Sequence, residues 1–370
     1  MYYKKIIYVI ILVIFSSQVF ADSWRPNQVG SFLSSKIARS ITDIENSAYF
    51  AEYSYNRNPD SFALGAIALE ALIANGQIIE ALPIGLKISK NMPEITLAQY
   101  ISMIDSLNSN SYSKVLDVLL NISPNGIDNF ILPILQTWAA AGSNKELGGL
   151  EIMKGQANRG VLDPLYDYQS ALIYEFIGDI ENAHISYKNI IKRSNNANAH
   201  VYSRAAIFFA NNNLPDLYSE TLNKLETIDP YSNELFILKK NENYAKETKI
   251  SNIKQGISEV FLNSAEILFN EGLDRQALIY AQISSYLEPK SDSANYLLGR
   301  IFKSINNNER AIKYFKKVNE YSLVIHDANI AYAETLYDIE GLSNSKEFLN
   351  NMEKSFPDNI NYLRTMAELF

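Results

Sequence analysis

The feature that most constrains this chain is a period of 34 residues. Ala277, Ala311 and Ser345 stand 34 apart, and columns of like residues run at fixed offsets from them. Four places on are Ala281, Phe315 and Leu349; twelve before are Ala265, Gly299 and Ala333; nine before are Leu268, Phe302 and Leu336. The small-residue column runs back through Ala183, with Ala171, Tyr174, Gly178, Tyr187 and Ile190 around it, and through Ala81, with Leu69, Leu72, Gly76 and Pro93. The unit at 198–230 fits as well, except that Tyr218 replaces the small residue. A period of this length describes stacked units, none of which buries its apolar face alone.

Within a unit the apolar residues recur at i, i+3, i+4 and i+7 over two stretches, the helical period, so each unit is a pair of antiparallel helices. Gly76, Gly178 and Gly272 sit where first helices end and supply a left-handed or flexible backbone. Pro59, Pro93, Pro230, Pro289 and Pro357 close second helices, because proline lacks the amide donor and clashes with the preceding turn. Ala311 lies where the second helix crosses the first closely, and a longer side chain there would push the backbones apart.

Small at one helix waist, aromatic or Leu three on, Gly or Asn at the turn, small again, aromatic four on and Pro at the end, the unit resembles the tetratricopeptide repeat. The resemblance covers most of the chain beyond residue 22, is best over 165–230 and 256–370, and is poor over 95–160. It implies an all-α fold, a right-handed superhelical solenoid of helix pairs in which each unit packs only on its neighbours. The phrase QALIYAQISSYLEPKSDSANYLLGRIFK also resembles secreted repeat proteins of alphaproteobacteria. The expected organisation is a leader at 1–21, an N-terminal block at 22–230, a polar connector at 231–256 and a C-terminal block at 257–370 ending in a half repeat or a cap helix. The connector reads either as one extra helix with a loop or as a hinge.

The leader places two lysines before an apolar run from Ile6 to Phe15 and ends in Val-Phe-Ala, as a cleaved export signal does, which would leave Asp22 first. The run is short for a membrane span, although Ile6 to Val19 could serve as an uncleaved anchor, the one membrane contact expected. There is no cysteine, so disulfides, thiolate metal sites and a lipidated cysteine are excluded. With 33 basic and 41 acidic residues the chain is a poor match for nucleic acid, whose binding rests on phosphate neutralisation.

Catalytic motifs are missing from the sequence. His184, His200 and His326 show no metal-ligand spacing and read as surface or groove-lining; carboxylate pairs such as Glu266 with Glu271 read as a solvated face; no nucleophile elbow or phosphate loop occurs. No cofactor, metal or catalytic residue is expected. Most of the 24 Tyr and 17 Phe fall in packing columns. In the architecture that the resemblance implies, first helices line a concave groove, and their residues outside the packing columns face it. These are Tyr168, Glu175, Arg204 and Asn211 in the middle block, and in the C-terminal block Asn263, Glu266, Asn270, Tyr296, Arg300, Lys303, Glu334, Tyr337, Asp338 and Arg364. The peptide-binding subset of the family that clamps a terminal carboxylate has neutral donors where Glu266 and Glu334 stand, so that specificity is not expected. Mixed charge with Tyr suits a peptide or protein segment. The expected function is a non-catalytic periplasmic scaffold for other proteins, by analogy of fold in envelope assembly. An accessory subunit of peptidoglycan or polysaccharide enzymes that touches glycan is the alternative, and it requires open Tyr and Trp in the groove. Client and oligomeric state are not legible.

Overall fold

The computed structural model describes residues 27–143, 163–193, 199–240 and 249–370, and among these there are nineteen α-helices and no strand. Eight antiparallel pairs are complete: α1 (Gln28–Ser40) with α2 (Ile44–Arg57), α3 (Phe62–Ala74) with α4 (Ile78–Asn91), and α5 (Thr96–Asn108) with α6 (Tyr112–Leu120) come first. After α7 (Asp128–Gly142) follow α8 (Asp163–Ile177) with α9 (Ile180–Arg193), α10 (Ala199–Asn211) with α11 (Pro215–Ile228), and the short α12 (Asn233–Lys240). The last pairs are α13 (Ile253–Asn270) with α14 (Asp274–Leu287), α15 (Asp292–Ser304) with α16 (Asn308–Phe315), and α17 (Ile325–Glu340) with α18 (Leu342–Ser355), before α19 (Ile360–Leu369). The leader, at 1–21, lies outside the described residues.

The columns are the packing surfaces. Ala81, Ala183, Ala277, Ala311 and Ser345 are fully buried, as are Ala171, Ala265 and Ala333 from the facing helices. The aromatic columns follow them inside: Tyr174, Tyr187, Phe209, Phe302 and Phe315 are all buried. Each of the five prolines named above stands two residues beyond a helix end. The backbone keeps the period even where the sequence loses it. Thr42, Gly76 and Asn110 have φ of 59°, 82° and 51°, are spaced 34 apart, and close α1, α3 and α5. Asn213 and Asn306 do the same after α10 and α15, so the turn accepts any residue that tolerates the left-handed region, and Asn does so readily. The pairing thus runs on through α5 and α6, where the columns of side chains had blurred.

A stack in which units touch only their neighbours is not what forms. Helix α13 packs against α7 and α8, and α14 packs against α3, so the C-terminal block folds back into the N-terminal one. One continuous apolar core results, from Ala48 to Ala331, with a small second cluster at Ala333, Leu349 and Tyr362. Two glycines let the blocks meet. A Cβ on Gly256 would come within 2.4 Å of the Trp138 ring, and one on Gly142 within 2.7 Å of Ile253. Polar contacts span the same seam. Glu70 of α3 receives both Arg39 and Arg275, at 3.0 and 2.8 Å, and Arg310 donates to the Asn75 side-chain and backbone oxygens at 2.7 and 2.9 Å. The Asp128 carboxylate accepts from Tyr100 of α5 and Tyr280 of α14, and burial raises its pKa above the usual range despite those two donors.

Part of the stretch read as a connector is helical. Residues 233–240 form α12, whose Leu235, Ile237 and Leu238 are buried, and the C-terminal block opens at Ile253 rather than 257. Residues 241–248 lie outside the described residues. Tyr218 explains the one break in the small-residue column: its hydroxyl reaches α12 and donates to the Leu238 carbonyl at 2.9 Å. At the far end α19 buries Tyr362 and exposes a mixed face of Ile360, Leu363, Arg364, Glu368 and Phe370.

Candidate functional site

Four of the predicted groove residues of the middle block and of α13 lie close together, at or beside the chain's own seam. Tyr168, Glu175, Arg204 and Asn263 are buried. The Tyr168 hydroxyl donates to Glu259 Oε1 at 3.0 Å, and Asn263 Nδ2 donates to the same oxygen at 3.3 Å. Gln169 Nε2 donates to Asn263 Oδ1 at 2.8 Å, and the Trp138 indole donates to Gln169 Oε1 at 2.9 Å. This relay runs from α7 through α8 to α13. Beside it Arg204 pairs with Glu175 at 2.8 Å, and Tyr187 donates to the same carboxylate. Buried polar groups need such partners, and a set that joins three helices fixes their register.

His200 stands 3.4 Å from Glu259. Burial alone would lower its pKa, but the hydrogen bond and charge of Glu259, with Glu234 and Glu266 behind, push it up to about 9. Glu259 is lowered in turn: burial acts upward, and His200, Tyr168 and Asn263 outweigh it. Glu234 of α12 is the strained member. Burial pushes its pKa up to about 7, and its Oε2 has no hydrogen-bond partner.

Two clefts open between the middle and C-terminal blocks. The first, of about 740 Å³, is walled by Tyr168, His200 and Arg204 on one side and by Glu259, Asp292 and Tyr321 on the other. The second, of about 330 Å³, is lined by Glu234, Asp327, Glu334, Arg364 and Glu368 among others, and is acidic. Its floor is tied down where Asn233 donates to Asp327 at 2.8 Å and accepts from Asn359 at 2.8 Å. Both are large enough for parts of a peptide, and neither gathers a metal-ligand group among the described residues.

The remaining predicted groove residues do not form one surface. Lys303 pairs with Glu334, and Arg300 stacks over Phe269 and Tyr296, so four partly buried members are engaged within the fold. Glu266 is partly buried; Asn211, Asn270, Tyr337, Asp338 and Arg364 are exposed. Tyr168, Glu175, Arg204 and Asn263, read from the sequence as open to a groove, are instead buried within the fold, with Tyr168 and Arg204 at the wall of the larger cleft. The sequence reading passed over Glu259, Glu234, Gln169 and Trp138, whose roles depend on the fold-back. The Glu259–Asn263 spacing of four, which sets two polar side chains on one face of α13, is the one signal that could have marked part of the set. His326 is a further correction. It is buried rather than on the surface or in a groove, holds Tyr362 at 2.6 Å, and is driven down to about 4 by burial and the charge of Lys240.

The part of this site that α15 and α16 supply can be compared with known families. Residues 292–323 match the tetratricopeptide repeat. That repeat contributes Asp292 and Tyr321 to the larger cleft and Arg310 to the seam. No curated relative matches the chain. Among solved structures, yeast Tom70 is 13% identical, with 95% of this chain and 90% of that chain covered and a TM-score of 0.29. PilF of Pseudomonas aeruginosa is 15% identical, covering 55% of this chain and 97% of that one at 0.28, and the TPR domain of P58(IPK) is 11% identical, covering 92% and 97% at 0.25. The all-α architecture rests on the helix pairs themselves.

Proposed function

We propose that this chain is a non-catalytic scaffold that binds a segment of another protein in the two clefts between its middle and C-terminal blocks. The observation that carries this is the fold-back. Much of the inner face of α3, α7 and α8 is taken up by α13 and α14, and among the described residues two clefts stay open for a partner, the larger walled by α8, α10, α13 and α15 and the smaller by α12, α17 and α19. Helix-pair repeats present such inner surfaces to partners, and the repeat at 292–323 forms one wall. The smaller cleft is lined by Asp229, Glu234, Asp327, Glu334 and Glu368 with Arg364, and although Lys303 pairs with Glu334 and burial holds Glu234 partly protonated, the acidic excess favours a basic partner segment there. The glycan alternative has less support: among the described residues Trp138 and most large aromatic side chains, such as Tyr100, Tyr187, Phe209 and Phe302, fill the core, and the clefts hold Tyr321 and Tyr231 as exposed aromatic side chains.

The leader composition supports export, with removal after Ala21 and work in the periplasm; N-terminal sequencing of the protein from its own cell should begin at Asp22. The binding proposal is tested with a photo-crosslinking residue at Tyr321, at Glu368, or at Ile79 on the outer helix α4. Capture of one partner at the two cleft positions and not at Ile79 is expected. Equal capture at Ile79 would place the binding surface elsewhere.

A further inference from the structure

Helix α1 is inside out. It turns Ser31, Ser35 and Ala38 into the protein, where the Ser35 hydroxyl donates to the Ser47 carbonyl of α2 at 3.0 Å. Its aliphatic residues point the other way. Val29, Leu33, Ile37 and Ile41 are 66%, 53%, 62% and 66% exposed, and their spacing of four makes one stripe along the helix. A surface helix of a soluble protein has the reverse arrangement, and a contiguous exposed stripe marks a face that something covers.

We infer that this stripe binds the surface of an anionic lipid bilayer, with α1 lying in the interface and its four aliphatic side chains among the acyl chains. Charge favours that occupant. The chain as a whole carries 41 acidic and 33 basic residues, yet residues 1–41 hold Lys4, Lys5, Arg25, Lys36 and Arg39 against Asp22 alone. If the leader is removed after Ala21, Arg25, Lys36 and Arg39 remain against that one Asp. Lys36 is exposed and lies over the Phe32 ring at 5.6 Å, its charge felt by Glu70 but with no salt bridge among the described residues, whereas Arg39 is paired with Glu70 at 3.0 Å. A basic flank beside an aliphatic stripe is the composition of a helix that lies on a membrane. Trp24 and Arg25 come just before the helix in sequence, residue types that favour the bilayer interface. Chain continuity acts the same way, because the apolar run Ile6 to Phe15 stands a short distance before α1 and would be in the bilayer during export. A second copy of the chain is the weaker occupant: four aliphatic side chains fall well short of the roughly 800 Å² per partner that a stable interface buries. No described helix is long and apolar enough to cross a membrane, so the contact is with the surface.

The test is co-sedimentation of the chain from Asp22 onward, which keeps all the described helices, with vesicles of equal parts phosphatidylglycerol and phosphatidylethanolamine and with vesicles of phosphatidylcholine alone. The chain should pellet with the anionic vesicles and less with the neutral ones. Leu33→Gln with Ile37→Gln should weaken that binding by about tenfold or more, since two aliphatic insertions are lost. Lys36→Glu should reduce the anionic preference alone. All three positions are exposed, so circular dichroism should not change; Val29→Gln with Ile41→Gln gives an independent pair. Wild-type chain that stays in the supernatant with both vesicles, or glutamine pairs that bind as the wild type does, would overturn the inference. So would sedimentation velocity without lipid showing a dimer that the glutamine pairs abolish, because the stripe would then belong to a second copy.

Discussion

At Gly256 and Gly299 the chain has no room for even one more carbon. A Cβ at Gly299 would come within 2.3 Å of the Phe315 ring, inside one repeat; the Gly256 clash with Trp138 lies between blocks. Gly256→Ala and Gly299→Ala should each destabilise the fold by about 1–3 kcal/mol, the usual cost of overpacking a tight contact, read as a lower midpoint in urea. An unchanged midpoint for Gly256→Ala would mean that α13 does not press on α7. Residues such as Gly299 were legible beforehand, because a small residue recurring every 34 positions reports a close approach that the unit itself requires. Gly256 was not legible as such: its partner is 118 residues away, and no periodic signal joins the two. The buried relay through Trp138, Gln169 and Asn263 was hidden for the same reason.

Among the elements, α12 links the two blocks and carries the charge most at odds with its surroundings. Glu234 has a folded pKa raised to about 7 from 4.5, so the folded state binds its proton more tightly than the unfolded chain does. Its contribution is therefore favourable below about pH 4.5 and is lost as pH rises through 7. Glu234→Gln should raise the melting temperature relative to wild type at pH 8 and leave it close to wild type at pH 4.5. The same gain at both pH values would show that ionisation is not the cause. His200 works in the same direction higher up: with a folded pKa of about 9 against 6.5, its stabilising pairing is complete below pH 6.5 and lost as pH rises through 9. Helix α12 was legible in part. One extra helix was among the readings of the polar connector, but its burial against α10 and α11 needed the tertiary structure to be seen.

For the whole molecule, closure changes what a repeat stack can do. An open solenoid offers its full concave face and flexes along its length, whereas a chain whose C-terminal block packs into its N-terminal block keeps clefts at the remaining seam. Helix pairing, register and chain order could be read from periodicity because those are local. The fold-back could not, since it depends on how small rotations accumulate over many units and on contacts such as Arg310 with Asn75 that no pattern announces. The most direct test uses the absence of cysteine. A Cβ at Gly142 would lie 2.7 Å from Ile253 Cγ1, close to where the sulfur of a cysteine at that position would stand, and replacing Ile253 leaves the Tyr112 ring, 3.0 Å away, to give by a few tenths of an ångström. Gly142→Cys with Ile253→Cys should oxidise to an intramolecular disulfide in nearly every chain, shifting its mobility on a non-reducing gel while circular dichroism stays native. Two thiols that remain free to alkylation in the folded protein would mean that α7 and α13 do not meet, and the closed superhelix would be wrong.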